Sequence, residues 1–110
     1  HNSLSEVDIN AFSQIRNATI IRLNNNPEIK FFNSNTQEKN KKINNNMFSS
    51  LENLEELYLN DCQLEDIEPG SFKNLKKLKK IDLFNNKLAN LKNRTFEGLD
   101  NLDELDLKNN

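Results

Sequence analysis

Few side chains in this sequence have the types and spacing that chemistry requires. The single cysteine, Cys62, has no second cysteine for a disulfide and no Cys or His neighbour at metal-ligand spacing. The only histidine, His1, is terminal, so a Ser-His-Asp or Cys-His site would depend on an end residue. These absences argue against most hydrolytic enzymes and against a bound metal or cofactor, and no catalytic residue is assigned. Two aspartates, Asp82 and Asp106, stand in equivalent surroundings and could do acid–base work only in an enclosed site. Lys73, Lys76, Lys77, Lys79 and Lys80 form a basic run. Asn17-Ala18-Thr19 and Asn93-Arg94-Thr95 are N-glycosylation sequons, which require passage through the secretory pathway.

The elements that position these residues are set by the chain's composition and period. Its 110 residues suit one domain. Fifteen Lys plus Arg against 17 Asp plus Glu give a net charge of −2, which argues against a nucleic-acid partner. Only 35% of residues are apolar, so the core must be thin. Apolar runs are too short to insert in a membrane within this segment. The chain begins with His rather than Met and has no apolar signal segment, which suggests a processed form or a fragment.

A 24-residue period organises the chain. Leu54, Leu57, Leu59, Cys62, Leu64, Ile67, Phe72 and Leu75 are repeated by Leu78, Ile81, Leu83, Asn86, Leu88, Leu91, Phe96 and Leu99. Leu102, Leu105, Leu107 and Asn110 open another unit. Upstream, Ala18, Ile21, Leu23 and Asn26 match the first half of a unit, and Leu4, Val7, Phe12 and Ile15 match the second half. The units are therefore 1–17 (a second half), 18–53, 54–77, 78–101 and 102–110 (an opening). From Ala18 to Leu54 there are 36 residues, twelve in excess. Ile29 and Phe32 are expected on the apolar positions after Asn26. The polar stretch 33–45, with Ile43 its only apolar residue, is expected to be a mobile surface loop.

The pattern L-x-x-L-x-L-x-x-N-x-L-x-x-L followed by F-x-x-L resembles the leucine-rich repeat in its typical 24-residue extracellular form, over the whole chain outside 33–45. The resemblance implies an α/β-type repeat solenoid: a curved stack with short parallel strands on its concave face, few or no regular helices, and uncapped ends. The spacing agrees, because Ile81 and Leu83 alternate with Asp82 as in a strand. Stacked units bury their apolar faces only against their neighbours. Asn86 offers an amide to the turn after the strand, and Cys62, at the same position, reads as a small residue of that turn rather than a reactive thiol. With Leu4 and Val7 at one end and Leu105 and Leu107 at the other exposing core edges, an isolated chain is expected to aggregate unless it belongs to a longer protein.

In such a solenoid the outward strand residues line the concave face, the usual binding surface of the resembled family. They form the rows Arg22, Tyr58, Asp82, Asp106; Asn24, Asn60, Phe84, Lys108; and Ile20, Glu56, Lys80, Glu104. Alternating charge at Glu55/Glu56, Lys79/Lys80 and Asp103/Glu104 should stabilise neighbouring strands and partly neutralise the lysine run. Asp82 beside Asp106 sets like charges together, and Phe84 presents a bare ring. Arg22, Tyr58, Asp82, Phe84, Asp106 and Lys108 are therefore the candidate partner-binding residues. Asn17 and Asn93 lie off the core columns and are the candidate glycosylation sites.

The resulting expectation is a non-enzymatic protein-recognition module of a secreted or cell-surface protein, with a protein ligand or co-receptor, or other repeats of the same parent chain, as partner. The resemblance points to Toll-type immune receptors, invertebrate leucine-rich immune proteins, and adhesion or guidance proteins. The competing expectation is a spacer within a longer solenoid, its contacts made elsewhere.

Overall fold

A computed structural model describes residues 2–110; His1 lies outside the described residues. In chain order the strands are β1 (Glu6–Asp8), β2 (Ile20–Arg22), β3 (Lys30–Asn33), β4 (Glu38–Asn40), β5 (Lys42–Ile43), β6 (Glu56–Tyr58), β7 (Asp66–Ile67), β8 (Lys80–Asp82) and β9 (Glu104–Asp106). One short 3-10 helix, Ile9–Ile15, follows β1 and is capped by the Asp8 carboxylate, which accepts the Asn10 N–H at 3.0 Å. That bond holds the Asp8 carboxyl below its usual pKa. The fold is a repeat solenoid of mostly parallel strands.

The concave sheet has the order β2-β6-β8-β9, all parallel. Ile21, Leu57 and Ile81 point inward from its strands and are buried. Behind them Leu54, Leu59, Leu64, Leu75, Leu78 and Leu83 close a core with almost no exposure. The phenylalanine of each unit forms a spine. Phe12 meets Phe48 tilted at 5.2 Å, and Phe48–Phe72 and Phe72–Phe96 stack at 6.3 and 5.9 Å. Offset ring pairs of this kind add about 0.5–1.5 kcal/mol each beyond their burial.

Two columns of polar residues turn the chain after each strand. Asn86 accepts the N–H groups of Cys62 and Leu64 on Oδ1 (3.1 and 3.0 Å) and donates from Nδ2 to Leu59 and Leu83 carbonyls (2.9 and 3.0 Å). Asn26 and Asn110 make the corresponding bonds to Leu4 N and Leu88 N. One position earlier, Asn25, Asp61, Asn85 and Asn109 all take left-handed backbone, φ 56–63°. Asn and Asp tolerate that conformation better than other residues with a Cβ. Part of the asparagine excess is thus a demand of the turns.

The expectation for 33–45 is corrected. The segment is a β-hairpin and a strand rather than a mobile loop: β3 pairs with β1 in parallel and with β4 in antiparallel register, while β5 pairs with β7. Phe31 sits opposite Val7, and Ile43 sits opposite Ile67. The same convex-side position is therefore filled twice, by residues twelve apart, and this accounts for the whole excess. Phe31, not Phe32, enters the core; in a strand a one-residue offset moves a side chain to the opposite face.

Polarity did not prevent order because the segment is tied down at specific points. Ile43 is fully buried. Thr36 and Gln37 N–H groups close the hairpin on Asn33 O, with Gln37 at φ 64°. Lys39 lies over the Phe32 ring and 3.3 Å from Glu6. The Lys41 ammonium donates to the carbonyls of Pro27, Ile29 and Cys62 at 2.8, 2.9 and 2.9 Å, joining two units.

Candidate functional site

The concave sheet register places Arg22, Tyr58, Asp82 and Asp106 side by side in one row, and Ile20, Glu56, Lys80 and Glu104 in another. The twelve-residue excess leaves these rows aligned, because it is absorbed on the opposite side of the solenoid. Phe84 and Lys108 follow their strands and share a backbone rung with their neighbours: Asp61 N–H donates to Phe84 O and Asn85 N–H to Lys108 O. Asn17 and Asn93 are exposed and lie outside the strands, Asn17 shortly before β2 and Asn93 in the loop ahead of Phe96.

Tyr58 is the centre of the sheet's first half. Its ring lies between two cations, with Arg22 Cζ 4.3 Å and Lys80 Nζ 5.1 Å from the centroid. Its hydroxyl donates to Glu56. Lys80 also pairs with Glu104 at 3.6 Å, so one chain of contacts crosses all four strands. The Tyr58 phenol and then the Glu104 carboxylate hold the Lys80 ammonium above its ordinary pKa. Glu56, Lys80 and Glu104 were legible as a row of alternating charge, but the grip of Glu56 and Lys80 on Tyr58 depends on side-chain directions that spacing does not convey.

The second half is differently built. Asp82 and Asp106 each turn one oxygen back to accept the N–H two residues ahead, Phe84 N and Lys108 N, both at 3.0 Å. This shared capping role answers why like charges stand on neighbouring strands: each carboxylate is needed by its own turn. Phe84 is half-buried rather than bare, correcting that expectation. The face is therefore a shallow polar surface with a tyrosine and a partly covered phenylalanine.

The family model described as leucine rich repeat matches residues 52–110, more than half of the chain. The chain belongs to the leucine-rich repeat family. No curated protein matches it. Repeats of this family serve in general as non-enzymatic, protein-binding modules. No described helix is long and apolar enough to cross a membrane.

Cys62 occupies the ladder position of its leucine-rich repeat and is fully buried. Its thiol donates to Leu23 O at 3.1 Å. Burial pushes the thiol pKa up, partly opposed by the N–H of Asn26 and by the Lys41 ammonium, so the reactive thiolate is disfavoured. Lys41 escaped sequence reasoning altogether, since it lies inside the aperiodic stretch where the period offers no ruler.

Proposed function

We propose that this leucine-rich repeat segment recognises another protein through its concave sheet, with Arg22, Tyr58, Asp82, Phe84, Asp106 and Lys108 as the contact residues. The observation that carries the reading is the Tyr58 cluster. Arg22, Lys80 and Glu56 fix the ring in one position, so an aromatic anchor can be covered by a partner with little loss of side-chain freedom. The parent is a secreted or cell-surface protein of immune recognition or adhesion. Exposed sequon asparagines at Asn17 and Asn93 support that compartment. Thr95 is buried and its hydroxyl donates to Lys92 O, so modification of Asn93 would precede folding of that turn.

The test is a screen of the chain against an array of secreted and cell-surface ectodomains, wild type beside Tyr58→Ala/Phe84→Ala. Loss of an anchor of this kind costs about 2 kcal/mol or more, roughly 30-fold in affinity. Binding lost in the variant, with an unchanged circular dichroism spectrum, supports recognition. Binding that ignores both substitutions overturns it in favour of spacer repeats. Enzymatic removal of N-glycans from the natively produced protein, followed by intact mass and peptide mapping, tests Asn17 and Asn93; an unchanged mass removes the support for secretion.

A further inference from the structure

The hairpin that interrupts the repeat also builds a groove of about 490 Å³ on the solenoid's other side, spanning three units from Ile9 to Glu68. Its size is that of a small-ligand site, but its walls are the reverse of the usual apolar ones. Asn40, Asn44, Asn45 and Asn46 line it together with Glu68, above a floor that includes buried Met47. None of these asparagines stands at a ladder position or at a left-handed turn position, so the repeat itself does not require them. Asn40 and Asn44 each use the side-chain oxygen for a local turn, accepting Lys42 N and Asn46 N. The side chains of Asn45, Asn46 and Glu68 make no hydrogen bond within the described residues.

We propose that this groove binds a neutral oligosaccharide. A carboxamide offers donors and an acceptor at once, which matches hydroxyl groups that do the same. The unengaged Glu68 carboxylate adds an acceptor for a pair of hydroxyls, and the half-buried Ile9 supplies a small apolar surface for the C–H face of a ring. An anion is disfavoured, because Lys42, the one cation lining the groove among the described residues, lies 3.8 Å from Asp66. A peptide strand is disfavoured as well. The neighbouring edge strand β4 is only Glu38–Asn40 and carries two charged residues, features that blunt strand addition. The groove is separate from the concave sheet, and this reading stands or falls independently of that one.

The experiment is an NMR titration of the full ¹⁵N-labelled chain with cellotetraose, chitotetraose, mannotetraose and maltotetraose, each to millimolar concentration. At least one should shift the side-chain NH₂ signals of Asn44, Asn45 and Asn46 and the Glu68 amide in a saturable way. Asn45→Ala and Glu68→Ala should each weaken that binding at least tenfold, while Tyr58→Ala leaves it unchanged. Three results would overturn the proposal: no response to any of the four sugars, shifts confined to the concave strands, or equal shifts at Asn44–Glu68 from a Ser/Asn/Gln-rich peptide.

Discussion

Replacing Lys41 with Met keeps the aliphatic stem and removes the ammonium that joins Pro27, Ile29 and Cys62. Three carbonyls then lose a donor at 2.8–2.9 Å. A carbonyl stranded in a dry site costs about 1–3 kcal/mol. Two effects reduce the sum: the site is half-open to water, and the variant no longer dehydrates a charge. That dehydration is real, since burial is the first cause of Lys41's lowered pKa. The balance is a destabilisation of about 2 kcal/mol. At roughly 4 °C per kcal/mol for a chain of this size, Tm should fall by about 8 °C. Because solenoids respond locally, the loss should concentrate in the hairpin. Circular dichroism in urea measures the first quantity, and amide hydrogen exchange of Phe31, Phe32 and Asn40 the second. Lys39→Met, which breaks an exposed ion pair and a long contact with the Phe32 ring, should cost under about 1 kcal/mol. If Lys41→Met is no worse than Lys39→Met, or hairpin exchange is unchanged, the ammonium does not order the insertion, and the hairpin owes its order to strand pairing and the buried Ile43 alone.

Asn86→Ala should be more damaging, by about 3–5 kcal/mol in urea denaturation, because it strands buried groups on both Cys62–Leu64 and Leu59–Leu83. The two glycines should separate: both have positive φ, but a Cβ on Gly98 would lie 2.8 Å from the Lys73 backbone, whereas on Gly70 it meets only the Lys73 stem at 3.6 Å. Gly70→Ala should therefore cost about 1–2 kcal/mol, the left-handed penalty alone, and Gly98→Ala clearly more; equal Tm losses would contradict this. Cys62 should resist a thiol reagent until the chain unfolds. Since its folded pKa lies above 9.0, the unfolded chain releases the proton first, and stability should fall as pH rises past 9.0; Cys62→Ala should lack that part of the fall.

The concave rows were legible because a period of 24 residues carries every strand position from one unit to the next, and the register of Arg22, Tyr58, Asp82 and Asp106 follows from counting. Counting fails where the period fails. Phe31 and Phe32 are adjacent and chemically alike, and only pairing with β1 decides which is buried. The order of the hairpin rests on Lys41 meeting Cys62, 21 residues away, and on Phe31 pairing with Val7, 24 away. Polarity predicts disorder when contacts are local; in this segment they are distant and specific. The second turn column, Asn25, Asp61, Asn85 and Asn109, had the same spacing as the first and could have been found from it.

The split between β4 and β5 gives the solenoid unequal stiffness on its two sides. On the concave side four strands form one uninterrupted hydrogen-bonded sheet, but on the other side β1-β3-β4 and β5-β7 are separate sheets with a seam between them. A bending load that opens the convex side meets no shared strand at that seam; it meets the Lys41 ammonium, the Lys42 N–H bond to the Asn40 side chain and the core behind them. The chain is thus built like a strip hinged at its back: its concave sheet would be the last part to deform, and a pull along the stack would part the molecule beside the hairpin before it disturbed Tyr58.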